Sequence, residues 1–250
     1  MGLSRGIDGV VTDGLILYFD AANKRSYNGS GTDINNLMIN TTGSLKNSPT
    51  FSSDNKGYLD FDGTNDHIDV SDTHLKTLIS SGNGLVGEEI SLEFWFKPDV
   101  VNSYDVLGGW QVSSYLRYTG NFDMGATSGQ IRFNVHTTGG NSRLGSSSGV
   151  LIADEWVNIV GTYASFSYSH GTDYQFRSGM RLYKNGVQIK SNLHAGASFV
   201  NFQKFIIAQD ISPTAGRNFN GKIAICKMYN KCLSATEVLQ NYNVLKHRFI

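Results

Sequence analysis

The stretch Met180-Arg181-Leu182-Tyr183-Lys184-Asn185-Gly186-Val187-Gln188-Ile189-Lys190 sets the fold class. Two strand-forming runs flank Asn185-Gly186, a dipeptide that suits the positive backbone angles of a two-residue type I′ turn. A β-hairpin follows. Working outward, Ile90-Ser91-Leu92-Glu93-Phe94-Trp95-Phe96 alternates until Lys97-Pro98, where proline removes a ladder donor and ends a strand. Leu15 to Phe19, Tyr58 to Phe61, His67 to Val70, Trp156 to Tyr163 and Phe205 to Ala208 read as further strands, with Asp62-Gly63 as a turn. Ala21 to Thr50 and Gly139 to Gly149 are rich in Asn, Gly, Ser and Thr and read as surface loops.

One helix is predicted, at the C-terminal end. Ser234 and Glu237 form a capping box, and Leu233 and Val238 occupy the positions of a hydrophobic staple. Val238, Leu239, Tyr242 and Leu245 follow at helical spacing and form one apolar face. Many short strands with one terminal helix predict an all-β jelly-roll sandwich of two antiparallel sheets with a short C-terminal helix.

Composition narrows the function. The chain has 250 residues, with 21 Lys plus Arg against 21 Asp plus Glu, so it lacks the basic footprint of a nucleic-acid binder. Hydrophobic residues make up 40 %, enough for a core, and 28 glycines exceed the usual ~7 % and imply many tight turns. No apolar run approaches a membrane span. The opening MGLSRGIDGVVTDG has neither the apolar core of a secretory signal nor the Ser or Thr that myristoylation needs at position 6. The expectation is a soluble chain that stays where it is made unless something else exports it. Cys226 and Cys232 are separated by a segment read mostly as strand, too far apart to bridge, and are expected as buried free thiols.

The segments DGLILYFDAAN at Asp13 to Asn23, FDGTNDHIDV at Phe61 to Val70, ISLEFWFKP at Ile90 to Pro98, EWVNIVGTY at Glu155 to Tyr163, MRLYKNGVQI at Met180 to Ile189 and FNGKIAICKMYNKCLSATEV at Phe219 to Val238 occur in a telling order. Together they resemble the concanavalin A-like, laminin-G-like jelly-roll domains. The resemblance spans residues 13–250 as a single domain and leaves residues 1–12 as an N-terminal arm. The opening DAAN with SYNGSGT and the closing NYNVLKHRF are similar to virion structural proteins of tailed bacteriophages that carry this module.

Several groups of residues are candidates for chemistry. Some relatives implied by the resemblance are glycoside hydrolases, which place two carboxylates about 5 to 5.5 Å apart when they retain configuration. Glu89 and Glu93 share a strand face, but Ser91 stands where a tuning acid would stand, so the two are expected as surface or loop-bonding carboxylates. Asp62, Asn65, Asp66 and Asp69 offer hard oxygen ligands for calcium near one hairpin. The resemblance counts against that ion, because relatives that hold it commonly carry an acid where this chain has Ala224. Asp62-Gly63 is then a turn, with Asp66 tying down loop amides.

His67, His74, His136, His170, His194 and His247 show no zinc spacing. Gly145-Ser146-Ser147-Ser148-Gly149 lacks the strand-to-helix elbow of a serine nucleophile. Asn28 and Asn40 open glycosylation sequons that a chain without export would not use. For glycans the sequence points to Trp110 and Tyr115, because Gly108-Gly109 reads as a turn that exposes the indole, while Trp95 and Trp156 read as core.

The expectation is a non-enzymatic virion structural protein, assembled in the host cytoplasm as a capsid decoration, fibre or tail-associated component. Its partners would be other virion proteins, copies of itself and host-surface glycans, with no nucleic acid, membrane insertion, metal or cofactor. A stand-alone lectin and a glycoside hydrolase are the alternatives.

Overall fold

The computed structural model describes residues 9–70, 75, 89–102, 104–111, 120–125, 127–137, 140–165, 179–192, 204–210 and 216–250. These form two eight-stranded antiparallel sheets, with strands numbered in chain order. The first sheet runs β14 (Val187–Asn192), β13 (Gly179–Lys184), β12 (Val157–Ala164), β7 (Glu89–Pro98), β16 (Asn220–Tyr229), β5 (Tyr58–Asp62) and β4 (Thr50–Ser52). Its eighth strand, β1 (Leu15–Asp20), pairs with the second half of β16, while β5 pairs with the first half. The second sheet runs β11 (Gly140–Gly145), β10 (Ile131–Thr137), β9 (Gly120–Met124), β8 (Val106–Gln111), β15 (Lys204–Ile207), β6 (His67–Val70), β3 (Thr42–Lys46) and β2 (Asp33–Asn35). Among the described residues no helix is long and apolar enough to cross a membrane.

The hairpin at Asn185-Gly186 forms as read. The two residues take φ of 50° and 79°, both positive as a type I′ turn requires, and Lys184 pairs with Val187. The tip leans on the C-terminal helix, so a Cβ on Gly186 would lie 3.0 Å from both Leu239 and Tyr242.

Strand β7 shows how the layers arise. Ile90, Leu92, Phe94 and Phe96 belong to the core between the sheets, together with Phe122, Phe133, Phe205 and Met228. The alternate residue Trp95 belongs to a second apolar cluster on the outer face of the first sheet. Helix α1 (Ala235–Leu245) covers that face. Its capping box forms: Glu237 N–H donates to Ser234 Oγ at 3.3 Å, and Ser234 N–H donates to Glu237 Oε2 at 2.8 Å. Leu233 and Val238, the staple pair, are both buried in this cluster. Leu239 instead lies at the rim, 44 % exposed, and Asn241 takes the buried place beside Val238 and Leu245.

Several expectations need correction. Ala21 to Thr50 contains β2 and β3 and reaches the start of β4, because Ile34 and Leu45 alternate into the core between polar neighbours. The segment Gly139 to Gly149 contains the edge strand β11, recruited by pairing with β10 despite a composition poor in strand formers. Strands β5 and β6 lie in different sheets, so Asp62 to Asp66 crosses between layers and does not close a hairpin. Val10 and Val11, placed in the arm, are buried against α1; residues 1–8 lie outside the described residues.

Candidate functional site

The outer face of the first sheet holds the carboxylates considered for catalysis, and the structure gives both of them structural work. Glu93 is fully buried, not on the surface. Its Oε1 lies 3.0 Å from Nζ of the equally buried Lys227 and accepts from Asn158 Nδ2 at 3.1 Å; its Oε2 accepts from Asn241 Nδ2 at 2.9 Å. Burial pushes the Lys227 ammonium down in pKa, and the Glu93 carboxylate opposes that shift. Asn241 Oδ1 accepts from Val11 N–H at 2.8 Å, and Tyr229 Oη donates to the Val11 carbonyl at 3.2 Å. Arg248 reaches Asp20 through Nη1 at 3.0 and 2.9 Å. The network thus ties both ends of the described chain onto one sheet. Glu89 accepts from Cys232 N–H at 2.9 Å, and Ser91 Oγ accepts from Leu233 N–H at 2.9 Å, so this strand face anchors the entry to α1.

The acidic loop behaves as a turn. Asp62 Oδ1 accepts from Thr64 N–H at 2.8 Å and Asn65 N–H at 3.4 Å, while Asp66 Oδ2 accepts from Asp62 N–H at 3.2 Å. The Thr64 amide, first among these bonds, holds the Asp62 pKa below its ordinary value. Among the described residues no cluster of three or more His, Cys, Asp or Glu could hold a metal ion. Cys226 and Cys232 are buried and not disulfide-bonded, as expected from their spacing.

Trp110 departs from the expectation of an exposed platform. Its indole is 0 % exposed and belongs to the core between the sheets. Gly108-Gly109 lies within β8 and makes no turn. What Gly108 supplies is space: a Cβ there would come 2.6 Å from the Phe94 ring. Tyr115 lies outside the described residues. Trp95 is core as read, stacked on Phe249 with centroids 4.4 Å apart; Trp156 is only half-buried and packs on Phe249 at 4.8 Å.

An exposed aromatic lies elsewhere, at one end of the second sheet. Here β8 and β10 begin and β9 and β15 end, and Asp62 to Asp66 crosses from the first sheet. Tyr104 is 39 % exposed and is held in the left-handed region at φ 73°, where a bulky residue is rare. The backbone is pinned on both sides: Tyr104 N–H donates to the Met124 carbonyl at 2.9 Å, and Met124 N–H donates to the Asp105 carbonyl at 2.8 Å. Two guanidinium carbons lie near the ring, Arg132 at 4.9 Å and Arg217 at 5.2 Å from its centroid. Arg132 is paired with Asp123 at 2.5 Å, and Arg217 reaches Asp210 at 3.9 Å.

Asp105, the next residue, is 6 % exposed. Its side chain bonds with Asn102, and its Oδ2 has no hydrogen-bond partner among the described residues. Burial pushes its pKa up to about 6. Nearby Asn218 is also buried, donates through Nδ2 to the Thr64 carbonyl, and leaves Oδ1 without a partner among the described residues. The exposed part of the Tyr104 ring, with the Arg132 and Arg217 guanidinium groups over it, sets hydrogen-bond donors beside an aromatic surface. The sequence signal for it is an aromatic in a polar break, Asn102 to Asp105, shortly after the strand that ends at Pro98.

The family model described as the concanavalin A-like lectin/glucanases superfamily matches residues 62–239. No curated protein matches the chain by sequence. Among solved structures, Trypanosoma rangeli sialidase in complex with an inhibitor is similar at 13 % identity and TM-score 0.65, covering 93 % of this chain and 33 % of that one. The binding domain of Paraclostridial Mosquitocidal Protein 1 is similar at 14 % identity and TM-score 0.63, covering 92 % and 52 %. Domain 4 of an extracellular arabinanase from Geobacillus stearothermophilus, in complex with arabinotriose, is similar at 12 % identity and TM-score 0.62, covering 91 % and 98 %. The chain therefore spans 33 % and 52 % of the first two structures and nearly all of the third.

Proposed function

The chain belongs to the concanavalin A-like lectin/glucanase superfamily, and from that premise we propose that it is a non-enzymatic carbohydrate-binding module whose ligand meets the Tyr104 end of the sandwich. One observation carries the reading: Tyr104 stands 39 % exposed in a strained backbone conformation, with the Arg132 and Arg217 guanidinium groups over its ring. Backbone strain of this kind costs stability, and such costs cluster at functional sites. Glu89 and Glu93, the pair that a hydrolase reading would need, hold the C-terminal segment in place, and the Lys227 ion pair commits Glu93 fully. The bound arabinotriose of the arabinanase domain, which this chain matches over nearly its whole length, supports an oligosaccharide as the ligand class.

The setting we propose is the surface of a bacteriophage particle, where such a module would meet host glycans; the likeness of two chain segments, DAAN with SYNGSGT and NYNVLKHRF, to virion proteins supports it. A stand-alone lectin is the second reading and uses the same site. Screening the whole chain on a glycan array tests the binding. We expect a retained glycan that Tyr104→Ala loses with an unchanged melting temperature, and an array with no retained glycan overturns the reading. Mass spectrometry of purified particles tests the setting, and absence of the chain from them would leave the lectin reading alone.

A further inference from the structure

We propose that Lys227 and Asn241 join through an isopeptide bond that the folded chain makes for itself, with Glu93 carrying protons between the attacking and the leaving nitrogen. Three fully buried side chains meet under α1: the Lys227 amine, the Glu93 carboxyl and the Asn241 carboxamide. Lys227 lies opposite Glu93 in the pairing of β16 with β7, and its Nζ is 3.0 Å from Glu93 Oε1. The other oxygen, Oε2, accepts from Asn241 Nδ2 at 2.9 Å. One carboxyl group thus touches both nitrogens that an exchange between an amine and a carboxamide must serve. Asn241 Nδ2 also donates to Oη of Tyr229 at 2.9 Å, and Tyr229 projects from the same face of β16 two residues beyond Lys227. The Asn241 carboxamide is therefore held on the lysine's side of β7. Asn158 reaches Glu93 from β12, on the opposite side of β7, and positions the carboxyl.

An ammonium is not a nucleophile, and the site removes that obstacle. Burial pushes the Lys227 pKa down. A proton moved along the 3.0 Å contact to Glu93 leaves a neutral amine and a neutral acid, which cost less to keep out of water than two charges. The Nζ lone pair then forms a bond to Asn241 Cγ, and the carbonyl electron pair moves to Oδ1, where the Val11 N–H already donates at 2.8 Å. Glu93 passes its proton to Nδ2 and takes one from Nζ as the Cγ–Nδ2 bond breaks. One ammonia leaves, Lys227 and Asn241 share an amide, and Glu93 ends protonated, so atoms and charge balance with no further reactant. Packing the three groups into one cluster supplies the proximity that free side chains in water lack. The bond fastens α1 to β16 covalently.

Tryptic digestion of the denatured whole chain, followed by tandem mass spectrometry, reads the link directly. A linked Lys227 is no longer a site for trypsin, whereas Lys222, Lys231 and Lys246 still are. We expect residues 223–231 and 232–246 to travel as one species, lighter than the two peptides together by one ammonia, in most of the wild-type chain and in none of Lys227→Arg. Separate, unmodified peptides 223–227 and 232–246 from the folded wild type would overturn the proposal. A link from Lys227 to the peptide that holds Asn158 overturns the choice of Asn241. Glu93→Gln should stay unlinked, and a link formed in that variant overturns the role of Glu93. The wild-type digest is decisive even if neither variant folds.

Discussion

Glu93 and Asp105 are both buried carboxylates, and their surroundings differ in every respect that matters. Glu93 sits under α1 with the Lys227 ammonium and the Asn158 amide on one oxygen and the Asn241 amide on the other; its charge is answered within the chain. Asp105 sits at the end of the second sheet with one amide partner and an unanswered oxygen. The first arrangement answers its charge within the chain, and the second leaves a buried oxygen without a donor among the described residues. Burial alone therefore does not tell a satisfied acid from an unsatisfied one; the count of bonded oxygens does.

The largest effect should come from breaking the closed site. Lys227→Met leaves Glu93 buried without its cation and should destabilise the fold by about 3–5 kcal/mol, read by urea unfolding. A loss below about 1 kcal/mol would mean that water reaches Glu93. Gly186→Val comes next, since a β-branched residue at φ 79° must also crowd Leu239 and Tyr242 under the helix. We expect about 2–4 kcal/mol of destabilisation, and unchanged stability would show that the hairpin tip can leave the helix.

Asp105 should respond with the opposite sign. The folded Asp105 holds its proton to about pH 6, against an ordinary value of 3.8. Its favourable contribution is complete below the unfolded value and is lost as pH rises through the folded one. Asp105→Asn should therefore gain on the order of 1–3 kcal/mol relative to wild type on going from pH 4 to pH 7.5. A parallel pair of pH–stability curves would show that Asp105 is already satisfied. The smallest effect concerns Asp62, whose carboxylate bonds its own loop amides. Thermal melts in EDTA and in millimolar calcium should coincide, and a large calcium-dependent rise would show an ion stabilising the fold by mass action.

Most of the fold was legible because its signals are local. Asn185-Gly186, the Ser234 to Glu237 box and the alternation of β7 act within a few residues, and each formed as read. Strands β2, β3 and β11 were not legible, because their pairing comes from neighbours that outweigh a polar composition. The site escaped for a related reason. Gly108-Gly109 carries the same letters whether it turns the chain or clears room for Phe94, and only the packed ring distinguishes the two. Tyr104 stands in a polar break that many surface loops share, and it gains its character only from Arg132 and Arg217, far along the chain.

Ligand should be met at the Tyr104 end and not on the face closed by α1. Amide chemical-shift mapping by NMR, during titration with the best-binding oligosaccharide from the array, distinguishes the two without altering a residue. Shifts should concentrate on Tyr104, Asp105, Asp123, Arg132 and Arg217 while Glu93, Trp95 and Asn241 stay still. Shifts centred on Glu93, Trp95 and Asn241, with Tyr104 and Asp105 unmoved, would contradict binding at the Tyr104 end.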